Sequence, residues 1–197
     1  MTNAAAAEWA RLVRVGTERA MAGLSEMIGE DIEVAGLAMT QVPVEEIPSL
    51  FGGPETEAVG IYLTVTGGAN GHLMLMYEPR IAYAFIDLLM GDTPGSTTSL
   101  DEMGRSALGE MGNIIGAFFL NAISDATGLS LQPSPPEVMT DMAGALLDVV
   151  SSEVLLRRDE TDLAETTFRA KGHDVSGVFL VLPTEALLEA LIAAKAA

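Results

Sequence analysis

The same order of elements runs through this chain twice, and that repetition limits the fold more than any other feature of the sequence. Helical spacing from about Ala4 to Met27 leads into a strand-like stretch at Ile32–Val42 and a proline-broken segment from Pro43 to Pro54. Alternating residues then flank a glycine turn at 60–77, and helical spacing returns from Glu78 to Met90. The second pass opens with helical spacing from Leu100 to Thr127, closed by Gly128. An extended, proline-rich stretch at 129–138 follows, then a helix from Asp141 to about Leu156. A hairpin at 162–182 around the residues GHDV and a terminal helix at 185–195 complete it. Residues 91–99, GDTPGSTTS, separate the two passes, and Ser99-Leu-Asp-Glu102 reads as a capping box opening the second.

Residue alignment agrees with the element order. Residues 22–26 (AGLSE) lie on 121–125 (NAISD) at an offset of 99, and 71–81 lie on 177–187 at an offset of 106. Each half, about 1–98 and 99–197, holds one hairpin and one extended segment, too little to bury both faces of a sheet alone. The expectation is a single α+β domain over 1–197, an internal duplication with pseudo-twofold symmetry. Two αβ(α)ββα halves share a mainly antiparallel sheet, with the long helices as symmetry mates on one face.

Charge and rare residues narrow the function. With 28 acidic against 10 basic residues, the net charge is −18. A phosphate backbone and an anionic membrane surface would both be repelled, so no nucleic-acid or membrane partner is expected. No run of about 18 apolar residues appears, so no membrane insertion is expected. The stretch MTNAAAAEWARLVRVG reads as the start of a helix, not a targeting peptide. The chain has no cysteine, which excludes disulfides, thiolate catalysis and cysteine zinc sites and fits a cytoplasmic location. His72 and His173, its two histidines, are too far apart in sequence to point to a triad or a metal centre, and both are read as structural or surface residues. Eight of the ten basic residues are arginines, with Lys171 and Lys195 the lysines. Acidic excess with scarce lysine fits a salt-adapted protein; an ordinary acidic cytosolic protein is the competing reading.

One stripe of the second long helix does not look like core. At about 100° per residue, Ser106, Glu110 and Asn113 fall within about 60° of one another. Leu108, Met111, Ile114, Ile115, Phe118, Phe119 and Ile123 fill a broad apolar arc opposite. Gly109, Gly112 and Gly116 form a smooth flank where another helix backbone could come close. A solvated face would carry lysines and paired charges, whereas this stripe carries no cation. Other candidates are weaker. Residues 67–71, GGANG, lack the lysine and the following helix of a phosphate loop and read as a turn. Residues 157–160, RRDE, read as a solvated loop.

Ser106, three residues, Glu110, two residues, Asn113, 22 residues, then Pro136: this pattern resembles the signature of the CheC/CheX/FliY family of chemotaxis phosphatases. That signature is Ser or Asp, Glu, Asn and Pro at the same spacings. The likeness extends over essentially the whole chain, including the duplication. It implies an aspartyl-phosphate protein phosphatase of two-component signalling that hydrolyses a phospho-CheY-like response regulator. On this resemblance Asn113 orients the hydrolytic water through its carboxamide, and Glu110 pairs with a lysine of the receiver. Ser106 supports the helix, and Pro136 fixes the strand behind it. No cofactor or metal of the chain's own is implied; Mg²⁺ is expected in the phosphorylated partner.

CheC-type proteins often carry two such sites. Subtracting 99 gives Ala7, Arg11, Arg14 and Leu37 as the counterparts in the first half, and none matches the signature. One active site is therefore expected, with the first degenerate. The rival expectation is a non-enzymatic interaction module that regulates the CheD receptor deamidase or sits in the flagellar switch.

Overall fold

The computed structural model describes residues 3–29, 32–154, 160–170 and 173–183. Four α-helices and seven strands follow in the order α1 (Asn3–Ile28), β1 (Ile32–Pro43), a short 3₁₀ helix (Val44–Phe51), β2 (Glu57–Gly67), β3 (Gly71–Tyr77), α2 (Pro79–Met90), α3 (Glu102–Thr127), β4 (Leu131–Pro133), β5 (Glu137–Met142), α4 (Ala143–Val154), β6 (Glu160–Ala170) and β7 (His173–Pro183). The fold is α+β, as expected.

All seven described strands join one sheet in the order β1-β6-β7-β3-β2, with β4 and β5 both along the outer side of β2. Every pairing is antiparallel. Set β1 against the β4–β5 pair, β6 against β2 and β7 against β3, and the order reads alike from either edge. The register puts Met74 opposite Leu180, the pair related by the offset of 106. The two long helices each have 26 residues, and their first residues, Asn3 and Glu102, are 99 apart.

The sheet separates two apolar layers. Along β2 and β3, Val59, Ile61, Leu63, Val65, Leu73, Leu75 and Tyr77 turn to one face, where they meet α1, α2 and α3 through Leu12, Leu24, Phe85, Leu108, Met111 and Phe119. Ala58, Met74 and Met76 turn to the other, against Ile47 and Phe51 of the 3₁₀ helix and Leu146 and Leu147 of α4. A strand covered on both sides has no polar face to show, and all seven residues of β3 are buried. The long helices α1 and α3 do share one face. They pack with the Phe119 ring against Gly16 and the Phe118 ring against Gly23, each within 2.5 Å of where a Cβ would stand. Arg19 and Asp125 bridge them as an ion pair.

Several boundaries differ from the sequence reading. The cap of α3 is Asp101, not Ser99: its carboxylate accepts from the Gly104 N–H at 2.7 Å. Asp141 and Met142 pair with β2, so α4 begins at Ala143. His173 and Val175 lie in β7 and pair with β6, which shortens the turn expected around GHDV. Phe118 is 39% exposed rather than core, because it covers α1 from the rim. The terminal helix expected at 185–195 and the loop at 157–159 lie outside the described residues. The GGANG turn is as expected: Gly67, at φ 112°, takes a conformation open to glycine, and a Cβ there would strike the Ser130 carbonyl. His72 is buried in the sheet, its Nδ1 2.8 Å from the Tyr62 hydroxyl. None of the described helices is long and apolar enough to cross a membrane.

Candidate functional site

The approach to α3 is fixed before the helix begins. Asp87, at the end of α2, is 2% exposed. Its carboxylate accepts from the Gly95 N–H at 2.6 Å, the Ser96 hydroxyl at 2.9 Å and the Thr97 N–H at 2.9 Å. Burial by itself pushes this carboxyl up; the hydrogen bonds from Thr97, Ser96 and Gly95 outweigh it and hold the group below its usual range. The connection between α2 and α3 is thereby wrapped around one charge. The first turn of α3 then settles on α2, with Gly104 set against Ile86.

From this start α3 presents Ser106, Glu110 and Asn113 on one exposed stripe, as its periodicity predicts, while Leu108, Met111, Ile115 and Phe119 are buried beneath. The glycine flank does not meet another helix. Gly112 lies over Ile61 and Gly116 over Leu63, so the small residues let α3 settle onto β2. Each costs the helix about 1 kcal/mol against alanine, and the close approach to the sheet is what they make possible.

The stripe opens onto a groove of about 740 Å³. One wall is α3, through Glu102, Arg105, Ser106, Gly109, Glu110 and Asn113; the other is Pro133, Ser134, Pro135, Pro136 and Val138. Pro136 also stands 3.5 Å from where a Cβ of Gly112 would lie, tying it to the turn that carries Asn113. The proline wall is rigid by construction. Proline locks φ at three of its four first positions, and Ser134 is clamped to β2. The Ser134 N–H donates to the Thr64 carbonyl at 2.8 Å, and its Oγ accepts from the Thr64 N–H at 3.0 Å. The structure thus brings Ser106, Glu110, Asn113 and Pro136 to one groove.

Sequence reasoning missed Arg105. The stripe was expected to carry no cation, yet the Arg105 guanidinium reaches across the groove and donates to the Val138 carbonyl at 2.9 Å. Periodicity puts Arg105 one step off the stripe; only the length of its side chain, with a carbonyl 33 residues away, brings it in. Ser134 and Gly109 were missed as lining residues because their place in the groove depends on a connection whose path the sequence does not state.

On α1, Ala7, Arg11 and Arg14 occupy an exposed stripe at the same spacing. Arg11 there pairs with Glu8, at 2.7 Å and 3.2 Å through two nitrogens. Leu37 belongs to β1, and its side chain lies outside the described residues. No group of three or more His, Cys, Asp and Glu side chains among the described residues is placed to hold a metal ion.

Residues 103–140 match the CheC-like family, a span that holds all four signature positions. The chain is similar to the CheC-like family over that span. The chain is 26% identical over 187 residues to the CheY-P phosphatase CheC of Bacillus subtilis, covering 93% of this chain and 90% of that one. Its fold matches the crystal structure of Thermotoga maritima FliY at a TM-score of 0.77 and 21% identity, over 100% of this chain and 98% of that one. It also resembles the chain in the CheX-CheY-BeF3-Mg complex from Borrelia burgdorferi at a TM-score of 0.50 and 15% identity, over 86% and 96%.

Proposed function

We propose that this protein hydrolyses the aspartyl phosphate of a CheY-like receiver domain, using one active site at Glu110 and Asn113. The observation that carries the reading is the exposure of Ser106, Glu110 and Asn113 along one line of α3, above a groove walled by Pro136. The relative named a CheY-P phosphatase and the structural neighbour titled as a CheX-CheY complex support the reaction and the partner class.

An acyl phosphate is already activated, so the catalyst's task is to place a water in line with phosphorus. A carboxamide suits it. The Asn113 oxygen accepts a hydrogen bond from the water, and its NH₂ donates to a phosphoryl oxygen. Water attacks phosphorus, the bond to the receiver's carboxylate oxygen breaks to regenerate the carboxylate, and the water's oxygen and protons leave with inorganic phosphate. Mg²⁺ belongs to the receiver in this scheme. Glu110, one turn earlier, pairs with a receiver cation and sets the line of approach. On α1, Arg11 and Arg14 replace the acceptor groups with guanidinium donors, so that stripe is inactive.

The test is loss of phosphate from a phosphorylated receiver domain mixed with the purified protein. Asn113→Ala should lower the stimulated rate at least about 100-fold while complex formation persists. Glu110→Ala should weaken docking by about tenfold or more as well. Full activity in Asn113→Ala would overturn the assignment.

A further inference from the structure

The glycines of α3 do not share one reason for being glycine. At Gly112 and Gly116 the sheet leaves no room: a Cβ would lie 2.5 Å from the Ile61 Cγ2 and 3.0 Å from the Leu63 Cδ2. Gly109 is different. Among the described residues, a Cβ there meets one atom within 4 Å, the Val138 Cγ2 at 3.8 Å, which is ordinary contact. Its backbone is helical and its φ is not positive. Alanine therefore fits without strain and would strengthen the helix.

What Gly109 does border is the groove, one turn after Arg105 and one turn before Asn113. Stability is given up here at a position where packing within the chain asks for nothing. A bare helix backbone admits another backbone at close range. Four of the five residues on the facing wall offer that visitor no N–H. Pro133, Pro135 and Pro136 have none, and the N–H of Ser134 is spent on Thr64. Arg105 brings further donors to that side, its guanidinium held in place by one N–H on the Val138 carbonyl.

We propose that Gly109 is a docking position, where a stretch of the receiver's main chain closes onto the α3 backbone in a gap that a single methyl group would fill. Arg105 borders that gap and offers N–H groups to the carbonyl oxygens of the visiting chain. This rests on the phosphatase reading and names the part of the groove that holds the substrate protein, as distinct from the group that orients the water.

The variant is Gly109→Ala, compared with the parent protein in two measurements. Thermal unfolding should show a Tm about 2–4 °C higher, because a helix-interior glycine has been replaced without a clash. Affinity for a CheY-like receiver domain loaded with Mg²⁺ and beryllium fluoride should fall at least about tenfold, and KM for the phosphorylated receiver should rise in parallel with kcat retained. Asn113→Ala should show the opposite split. Unchanged affinity and KM in Gly109→Ala would overturn the proposal. A lowered Tm with lost affinity would also overturn it, since the defect would then be structural. A parent protein that neither binds nor dephosphorylates the receiver would instead remove the phosphatase reading itself.

Discussion

Asp87 is a charge screened from water by the connection it holds, and such a group persists only where donors surround it. Its three partners come from a stretch of three residues, Gly95 to Thr97, so the carboxylate gathers the connection that delivers α3. Asp87→Asn keeps the shape but turns an acceptor into a donor facing other donors. The expected loss is about 1–3 kcal/mol, read as a Tm lower by several degrees. The pH dependence has a definite sign. Because the folded carboxyl titrates below its unfolded value, its contribution is in full force above about pH 4 and fades as pH falls through the lower folded value. A stability profile between pH 5 and pH 2 should therefore flatten in Asp87→Asn relative to the parent. Identical profiles would show that Asp87 carries no such load.

Helix α3 is where the legibility of the sequence can be judged. Its stripe was readable because a 3.6-residue period needs no knowledge of the partner elements: Ser106, Glu110 and Asn113 come outward, and Leu108, Met111 and Ile115 go inward. Its cap was not, since Ser99 and Asp101 are both competent N-caps and the choice depends on how Asp87 holds the preceding residues. The glycine flank could be recognised as a close approach but not assigned to a strand, because Ile61 and Leu63 reach it through tertiary packing. Arg105 escaped because periodicity describes where a Cβ points, not where a long side chain ends. On α1 the same periodicity places Arg11 and Arg14 outward. The double substitution Arg11→Ala with Arg14→Ala should leave stimulated dephosphorylation unchanged. Loss of activity there, with activity retained in Asn113→Ala, would reverse the assignment of the working and inactive halves.

Taken whole, the molecule has one sheet whose strands β2 and β3 feed both apolar layers. We propose that the two repeats, about 1–98 and 99–197, form one folding unit adapted to salt. At −18, mutual repulsion is strongest at low ionic strength, where the Debye length reaches about 30 Å at 0.01 M. The Tm should climb between 0.05 and 2 M KCl, and unfolding should stay a single cooperative transition throughout. A Tm indifferent to KCl would remove the salt adaptation, and two separated transitions would remove the single unit. The pairing of β1 with β6 has a further consequence, for synthesis. Ile32 meets Ala170 across the ladder, so β1 leaves the ribosome long before its partner exists. At about 5–20 residues per second, its hydrogen-bonding edge waits roughly 7–30 s for β6, and for that interval the nascent chain depends on α1, a chaperone or the ribosome surface to shield an unpaired strand.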